Sequence, residues 1–190
     1  SPAVGMPAIG QVHILAESSL AVGSAALSAF ALAQTHAIAA SALVAPTAAV
    51  TGNVTVGEES SIWFHCVLRG DTAPITIGAR SNIQDGTIIH VNPDMPTAIG
   101  DDVTVGHAAI VHACTLHDRA FVAMGATVLD GAVIESGGML AAGALLTPGK
   151  RNGPGELWAG SPAKLLRVLS EEDRARFARA FHAHWVYRAG

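Results

Sequence analysis

The chain has 190 residues, half of them apolar, with few aromatics, 20 glycines and a net charge of −4. That length suits one domain with a substantial core, and the lack of any basic run argues against nucleic acid as a partner. Two cysteines, Cys66 and Cys114, offer no disulfide framework, so a reducing cytoplasm is the expected setting.

Residues 1–37 form an N-terminal extension. Its Ala-rich stretch, 15–33, lacks a basic flank and is broken or bounded by Glu17, several serines, Gln34 and His36, so neither a signal peptide nor a membrane span is expected. Residues 13–20 resemble 36–43, and 25–28 resemble 48–51. This internal repeat suggests an extra coil of the architecture that follows, set against the Ala-rich helix that propensity favours.

From residue 38 the dominant pattern is a period of six. Aliphatic residues recur at Val44, Val50, Val56 and Ile62, shift phase after Leu68, and resume at Ile77, Ile83 and Ile89. They shift again after His90 and continue through Ile99, Val105, Val111, Ala123, Leu129 and Ala141. A helix repeats near 3.6 and a simple strand at 2, so neither fits. Hexads indicate a parallel β-helix, an all-β solenoid whose coils bury their apolar face only by stacking. The two phase breaks, 70–74 and 91–96, are read as loops beside a site. The β-helix is expected over 38–164. Pro148, Pro154 and Pro162 break the repeat, and Ser170 followed by Glu171, Glu172 and Asp173 is a helix start. Within 165–190 a helix is expected over about 170–187, its apolar face (Ala175, Phe177, Ala178, Phe181, Trp185) packed back along the solenoid.

Three histidines stand among aliphatic residues and glycines: His90, His107 and His112. Neutral imidazole is the commonest protein ligand for zinc, and a catalytic zinc often has three protein ligands plus water. His107 and His112 fall on consecutive hexads, and a β-helix can bring such residues near one corner or across a subunit boundary. Asn82, Gln84 and Asp85 lie close in sequence and could hold a substrate and its water. Arg69 and Asp71 could pair, either at the site or across an oligomer interface. His65 could line a pocket, His117, His182 and His184 suit surface or packing roles, and Cys114 suits a small core position better than a ligand.

Ile62-Trp63 with Leu68-Arg69-Gly70-Asp71, Asn82-Ile83-Gln84-Asp85-Gly86 with His90, Gly106-His107 with His112, and Gly160-Ser161-Pro162-Ala163-Lys164 resemble the motifs of the γ-class carbonic anhydrase family. The resemblance covers about residues 38–187. It implies a left-handed parallel β-helix and a homotrimer with a metal at each subunit interface. By resemblance, His90 and His112 come from one chain and His107 from its neighbour. Gln84 and Asn82 match positions that orient water and substrate, and Arg69, Asp71 and Asp85 match interface and network positions. The implied reaction is zinc-dependent reversible hydration of carbon dioxide to bicarbonate, with Fe2+ or Co2+ able to use the same ligands. The sequence departs from the family's archetype, which has a glutamate after the motif aspartate and a long acidic loop with a proton-shuttle glutamate. Here Thr72 follows Asp71, and the segment after His90 is short, with Asp94 its only acid. The rival readings are a hexapeptide-repeat acyltransferase, with a histidine as general base, and a trimeric scaffold that binds metal with little anhydrase activity.

Overall fold

The structure, a computed structural model, describes residues 36–173 and 175. The expected extra coil before residue 36, and all but the first turn of the C-terminal helix, lie outside them. Short strands joined by tight corners wind into a parallel β-solenoid. Each coil has three faces. The first is an eight-stranded sheet running from Leu43–Val44 through Ser61–Ile62, Asn82–Ile83, Thr104–Val105, Phe121–Val122 and Met139–Leu140 to Glu156–Gly160 and Ala163–Val168. The second and third faces form one eleven-stranded sheet, because Ala49–Val56 and Val67–Ile77 run unbroken around the corner between them. Ile88–His90, Ile110–His112, Thr127–Val128 and Leu145–Leu146 continue the second face.

The hexad produces this shape because one aliphatic residue per face points inward and stacks on its counterpart a coil away. Ile83, Val105, Val122 and Leu140 line the first face from within, Leu68, Ile89, Val111, Val128 and Leu146 the second, and Ile77, Ile99, Leu116 and Ile134 the third. All are essentially removed from solvent.

The inward register departs from the sequence reading after Val111. The next inward strand residue is Leu116, only five positions on, because the corner at Ala113 (φ 46°) and Cys114 is one residue short. The core positions are therefore Val122, Val128 and Leu140, each 0% exposed, while their neighbours Leu129 and Ala141 are half-buried and Ala123 lies at a corner.

The phase break at 70–74 is not a loop. It is a bulge inside strand Val67–Ile77, where the pairing jumps from Gly52↔Gly70 to Val54↔Ile75. A Cβ on Gly70 would lie 2.5 Å from the Asn53 carbonyl oxygen, so the close strand approach requires glycine there. The break at 91–96 is a tight turn, closed by a bridge between Asn92 and Met95.

The parallel stack ends where Ala163–Val168 turns back antiparallel on Glu156–Gly160. Extended backbone thus persists past the expected boundary near Lys164. Helix begins at 171, capped by Ser170: the Asp173 N–H donates to Ser170 Oγ and the Ser170 N–H to Asp173 Oδ2, each at 3.1 Å. Among the described residues no helix is long and apolar enough to cross a membrane.

The register makes a contrast between neighbours measurable. Leu140→Ala should cost about 2–5 kcal/mol in urea unfolding, and Ala141→Ser less than about 0.5 kcal/mol. The opposite order would mean the inward phase is misplaced by one residue.

Candidate metal centre

In-register stacking assembles the first part of the site. Arg69, His90 and His112 lie one over another on adjacent second-face strands, all pointing outward at the corner with the third face. Strand alternation puts Asp71 on the same side as Arg69, and the two form an ion pair. Asp71 Oδ1 also lies 3.0 Å from His90 Nε2. Burial opposes ionisation of Asp71, but the hydrogen bond from His90 and the Arg69 guanidinium together outweigh it and hold the carboxyl below its ordinary range. His112 Nδ1 lies 2.5 Å from Asp130 Oδ1.

These carboxylates fix what the rings present to each other. A neutral imidazole has one N–H, and a carboxylate takes it. Asp71 therefore draws the proton of His90 to Nε2, and Asp130 draws that of His112 to Nδ1. The remaining nitrogens, His90 Nδ1 and His112 Nε2, face each other at 3.0 Å, and in these tautomers each carries a lone pair. Two bare lone pairs at that distance repel, and a cation between them removes the repulsion. Zinc–nitrogen bonds of roughly 2.0–2.1 Å at a tetrahedral angle put two nitrogens about 3.3 Å apart. The pair is thus spaced as two ligands of one metal ion, with anionic residues behind both.

The third histidine is not with them. His107 sits in the turn between Thr104–Val105 and Ile110–His112, at the corner of the first and second faces, and its Nδ1 meets Asp85 Oδ2 at 3.0 Å. Among the described residues, no three His, Cys, Asp or Glu side chains of the chain converge on one metal position. Gln84 and Asn82 lie on the His107 side. The Gln84 amide has no hydrogen-bond partner among the described residues, and the residue is 8% exposed. Asn82 Oδ1 accepts from Trp63 Nε1 at 2.7 Å and from Ser61 Oγ at 3.1 Å. That fixes the amide's orientation and leaves its buried Nδ2 donor without a partner.

Sequence reasoning missed Asp130 and Asn92, whose amide donates to Asp130 Oδ2 at 2.6 Å, and gave Trp63 no role. No local motif marks Asp130: it lies 18 residues after His112, one position past the register that pairs Val111 with Val128. Of the other histidines, His65 occupies a corner (φ 60°), its backbone N–H bonded to Thr47 Oγ1. His117 faces Glu135 at 3.7 Å, and His182 and His184 lie outside the described residues.

No protein-family model matches the chain. It is 52% identical over 136 residues to gamma carbonic anhydrase 2, a mitochondrial protein of Arabidopsis thaliana, covering 68% of this chain and 49% of that protein. It is 50% identical over 140 residues to a carbonic anhydrase of Geobacillus kaustophilus, covering 74% of this chain and 77% of that protein. The chain spans about half the length of the plant relatives it matches. Among solved structures, a hexapeptide transferase family protein from Anaplasma phagocytophilum superposes with a TM-score of 0.75 at 47% identity, covering 78% of this chain and 87% of that one.

Cys114 belongs to the core and not to the ligand set. Burial pushes its thiol up to about 12, and burial likewise raises that of Cys66. A raised pKa keeps both thiols protonated through pH 8–9, where an ordinary thiol is increasingly the reactive thiolate. Iodoacetamide at about pH 8.5 should leave both cysteines unmodified in the folded protein and alkylate both in denaturant. Rapid native labelling of Cys114 would place it at an accessible site.

Proposed function

We propose that this chain, which belongs to the γ-class carbonic anhydrase family, catalyses the reversible hydration of carbon dioxide to bicarbonate as a homotrimer with zinc at each subunit interface. The division of the site carries the reading. His90 and His112 occupy one edge of the second face, His107 and Gln84 lie at its other edge, and Asn82 stands on the adjoining first face. Between the edges Val67, Ile88 and Ile110 align in register on the outside of the solenoid, 37–45% exposed. An outward aliphatic ladder is an interaction surface. Joining one edge of a copy to the opposite edge of the next is a heterologous contact, which forms a ring where the rotation closes. In a ring of three, each copy lends His107 to its neighbour's His90 and His112.

Zinc held by these imidazoles, or Fe2+ or Co2+ on the same donors, would act as a Lewis acid and lower the pKa of water toward about 7. The chain's own polar groups do the rest. Gln84, with an unused amide, and Asn82, with an unused donor, present hydrogen-bonding groups to substrate and product oxygens. Arg69 and Asp71 neutralise each other and hold His90. Hydration releases a proton for every bicarbonate formed, and the chain has little to carry it: Thr72 follows Asp71, and Asp94, exposed at the turn, is the only acid in 91–96. The two buried free thiols suit the reducing cytoplasm proposed as its location.

The name of the solved hexapeptide transferase relative favours acyl transfer as the second reading. A general base needs a lone pair aimed at substrate, and those of His90 and His112 are aimed at each other. Elemental analysis with a hydration assay separates the readings: bound zinc without hydration leaves the scaffold, and neither supports acyl transfer.

Mixed assembly tests the shared site. His107→Ala and His112→Ala should each lose tight zinc binding and activity, whereas trimers reassembled from an equal mixture should regain about a quarter of wild-type zinc and hydration, since sites at junctions between intact edges survive. No recovery in reassembled trimers would place all three ligands in one chain or show the choice of ligands to be wrong.

The missing shuttle gives a second outcome. General acid–base assistance is worth about 10²–10⁴-fold, so the initial hydration rate at fixed pH and ionic strength should rise strongly with the concentration of an imidazole-type buffer. Thr72→Glu or Asp94→Glu should weaken that dependence. A high rate indifferent to buffer would mean that another group already carries the proton.

A further inference from the structure

We propose that Asp130, anchored by Asn92, is a positioning residue that holds His112 in its Nδ1–H form and turns the Nε2 lone pair toward His90. The inference rests on the reading of His90 and His112 as metal ligands. Asp130 stands at the corner that follows strand Thr127–Val128, one coil beyond His112, and each of its carboxylate oxygens has a separate task. Oδ1 takes the proton of His112 Nδ1 at 2.5 Å, and Oδ2 accepts from Asn92 Nδ2 at 2.6 Å.

Asn92 is itself fixed. Its backbone N–H donates to the Met95 carbonyl at 3.2 Å, and the Met95 N–H returns to the Asn92 carbonyl at 3.0 Å. Thr97 Oγ1 fastens the far end of the turn by donating to the His90 carbonyl at 2.6 Å. The short turn after His90 is thereby tied through one carboxylate to His112, the histidine of the next coil. A single hydrogen bond would leave both the carboxylate and the ring free to swing, because Asp130 is 35% and His112 25% exposed at the side chain. Two bonds to one carboxylate, from groups on different coils, leave Asp130 one orientation and His112 one tautomer.

Removal of Asp130 frees the ring to rotate and its proton to move to Nε2, which blocks the nitrogen that faces His90. Carboxylates behind ligand histidines typically affect metal affinity by about 10–100-fold. Asp130 thus acts through His112 and touches neither metal nor substrate.

Two measurements test this. Long-range 1H–15N spectra of metal-free protein with 15N-labelled histidine, at about pH 8, where imidazole is ordinarily neutral, should show His112 as Nδ1–H. His112→Gln assigns the signal. In Asp130→Ala the same ring should shift toward Nε2–H. Zinc affinity by chelator competition should fall about 10–100-fold in Asp130→Ala and less in Asn92→Ala, with circular dichroism and oligomer size unchanged. An Nε2–H His112 in the wild type, or tautomer and affinity both unmoved in Asp130→Ala, overturns the proposal. If Asp130→Ala does not fold, the wild-type tautomer and Asn92→Ala decide. A wild type that binds no zinc defeats the metal reading, and the tautomer still decides this inference independently.

Discussion

The parallel, in-register stack is the constraint on which the rest depends. A strand here has few long-range choices: once a coil's length is set, each residue lies beside the residue one coil away. His90 lies beside Arg69 and His112 beside His90 because the backbone hydrogen bonds of the second face allow no other alignment. The site is therefore built by coil length as much as by residue type. Val111 and Val128 are in register 17 residues apart, so Asp130, 18 residues after His112, sits one position past the in-register place, whereas His90 and His112 are in register 22 apart. The longer coil holds the 91–96 turn, and that turn supplies Asn92. Loss of one residue from the coil would move every later side chain by one position, and in a strand one position is the opposite face.

The same dependence explains what could be read from the sequence. Hexads were legible because an inward aliphatic residue must recur once per face, and the three histidines because they stand in short local phrases. The inward register after Val111 was not, since the five-residue step at Ala113 and Cys114 leaves no glycine or proline to mark it, and Ala123, Leu129 and Ala141 are as apolar as their inward neighbours. The 70–74 bulge read as a loop because Gly70 and Pro74 punctuate it, yet Gly70 serves a close strand approach. Asp130 escaped for a different reason. Its importance comes from contacts 18 and 38 residues away, and no local pattern encodes a distance that depends on the length of an intervening coil.

A solenoid face turned to solvent ordinarily carries polar side chains between its inward residues. The second face does not: Val67, Ile88 and Ile110 make its centre aliphatic, while its edges hold histidines, carboxylates and amides. This arrangement has the anatomy of an interface, with an apolar centre and a polar rim. The pair His90 and His112 stands at one edge, and His107, the Gln84 amide and the unpartnered Asn82 Nδ2 donor lie on the other side. An apolar strip between polar edges is the feature on which the proposed trimer rests.

The charges around the histidines decide which occupant such a junction prefers. Asp71 and Asp130 each stand behind an imidazole, and Arg69 offsets only the first. An apolar ligand would leave both facing lone pairs uncompensated, and an anion would add repulsion to them. A proton could bridge the two nitrogens, but only as a single charge, and it would leave the donors at the opposite edge of the face unused. A divalent cation would satisfy the lone pairs and the carboxylates behind them, and in the proposed trimer a further neutral imidazole would complete its set. The low pKa of Asp71 fits that account: its carboxylate stays charged across the neutral range because His90 and Arg69 both favour the ionised form over the cost of burial. The electrostatics around His90 and His112 thus favour a cation over an anion or an apolar ligand, as the proposed metal reading requires.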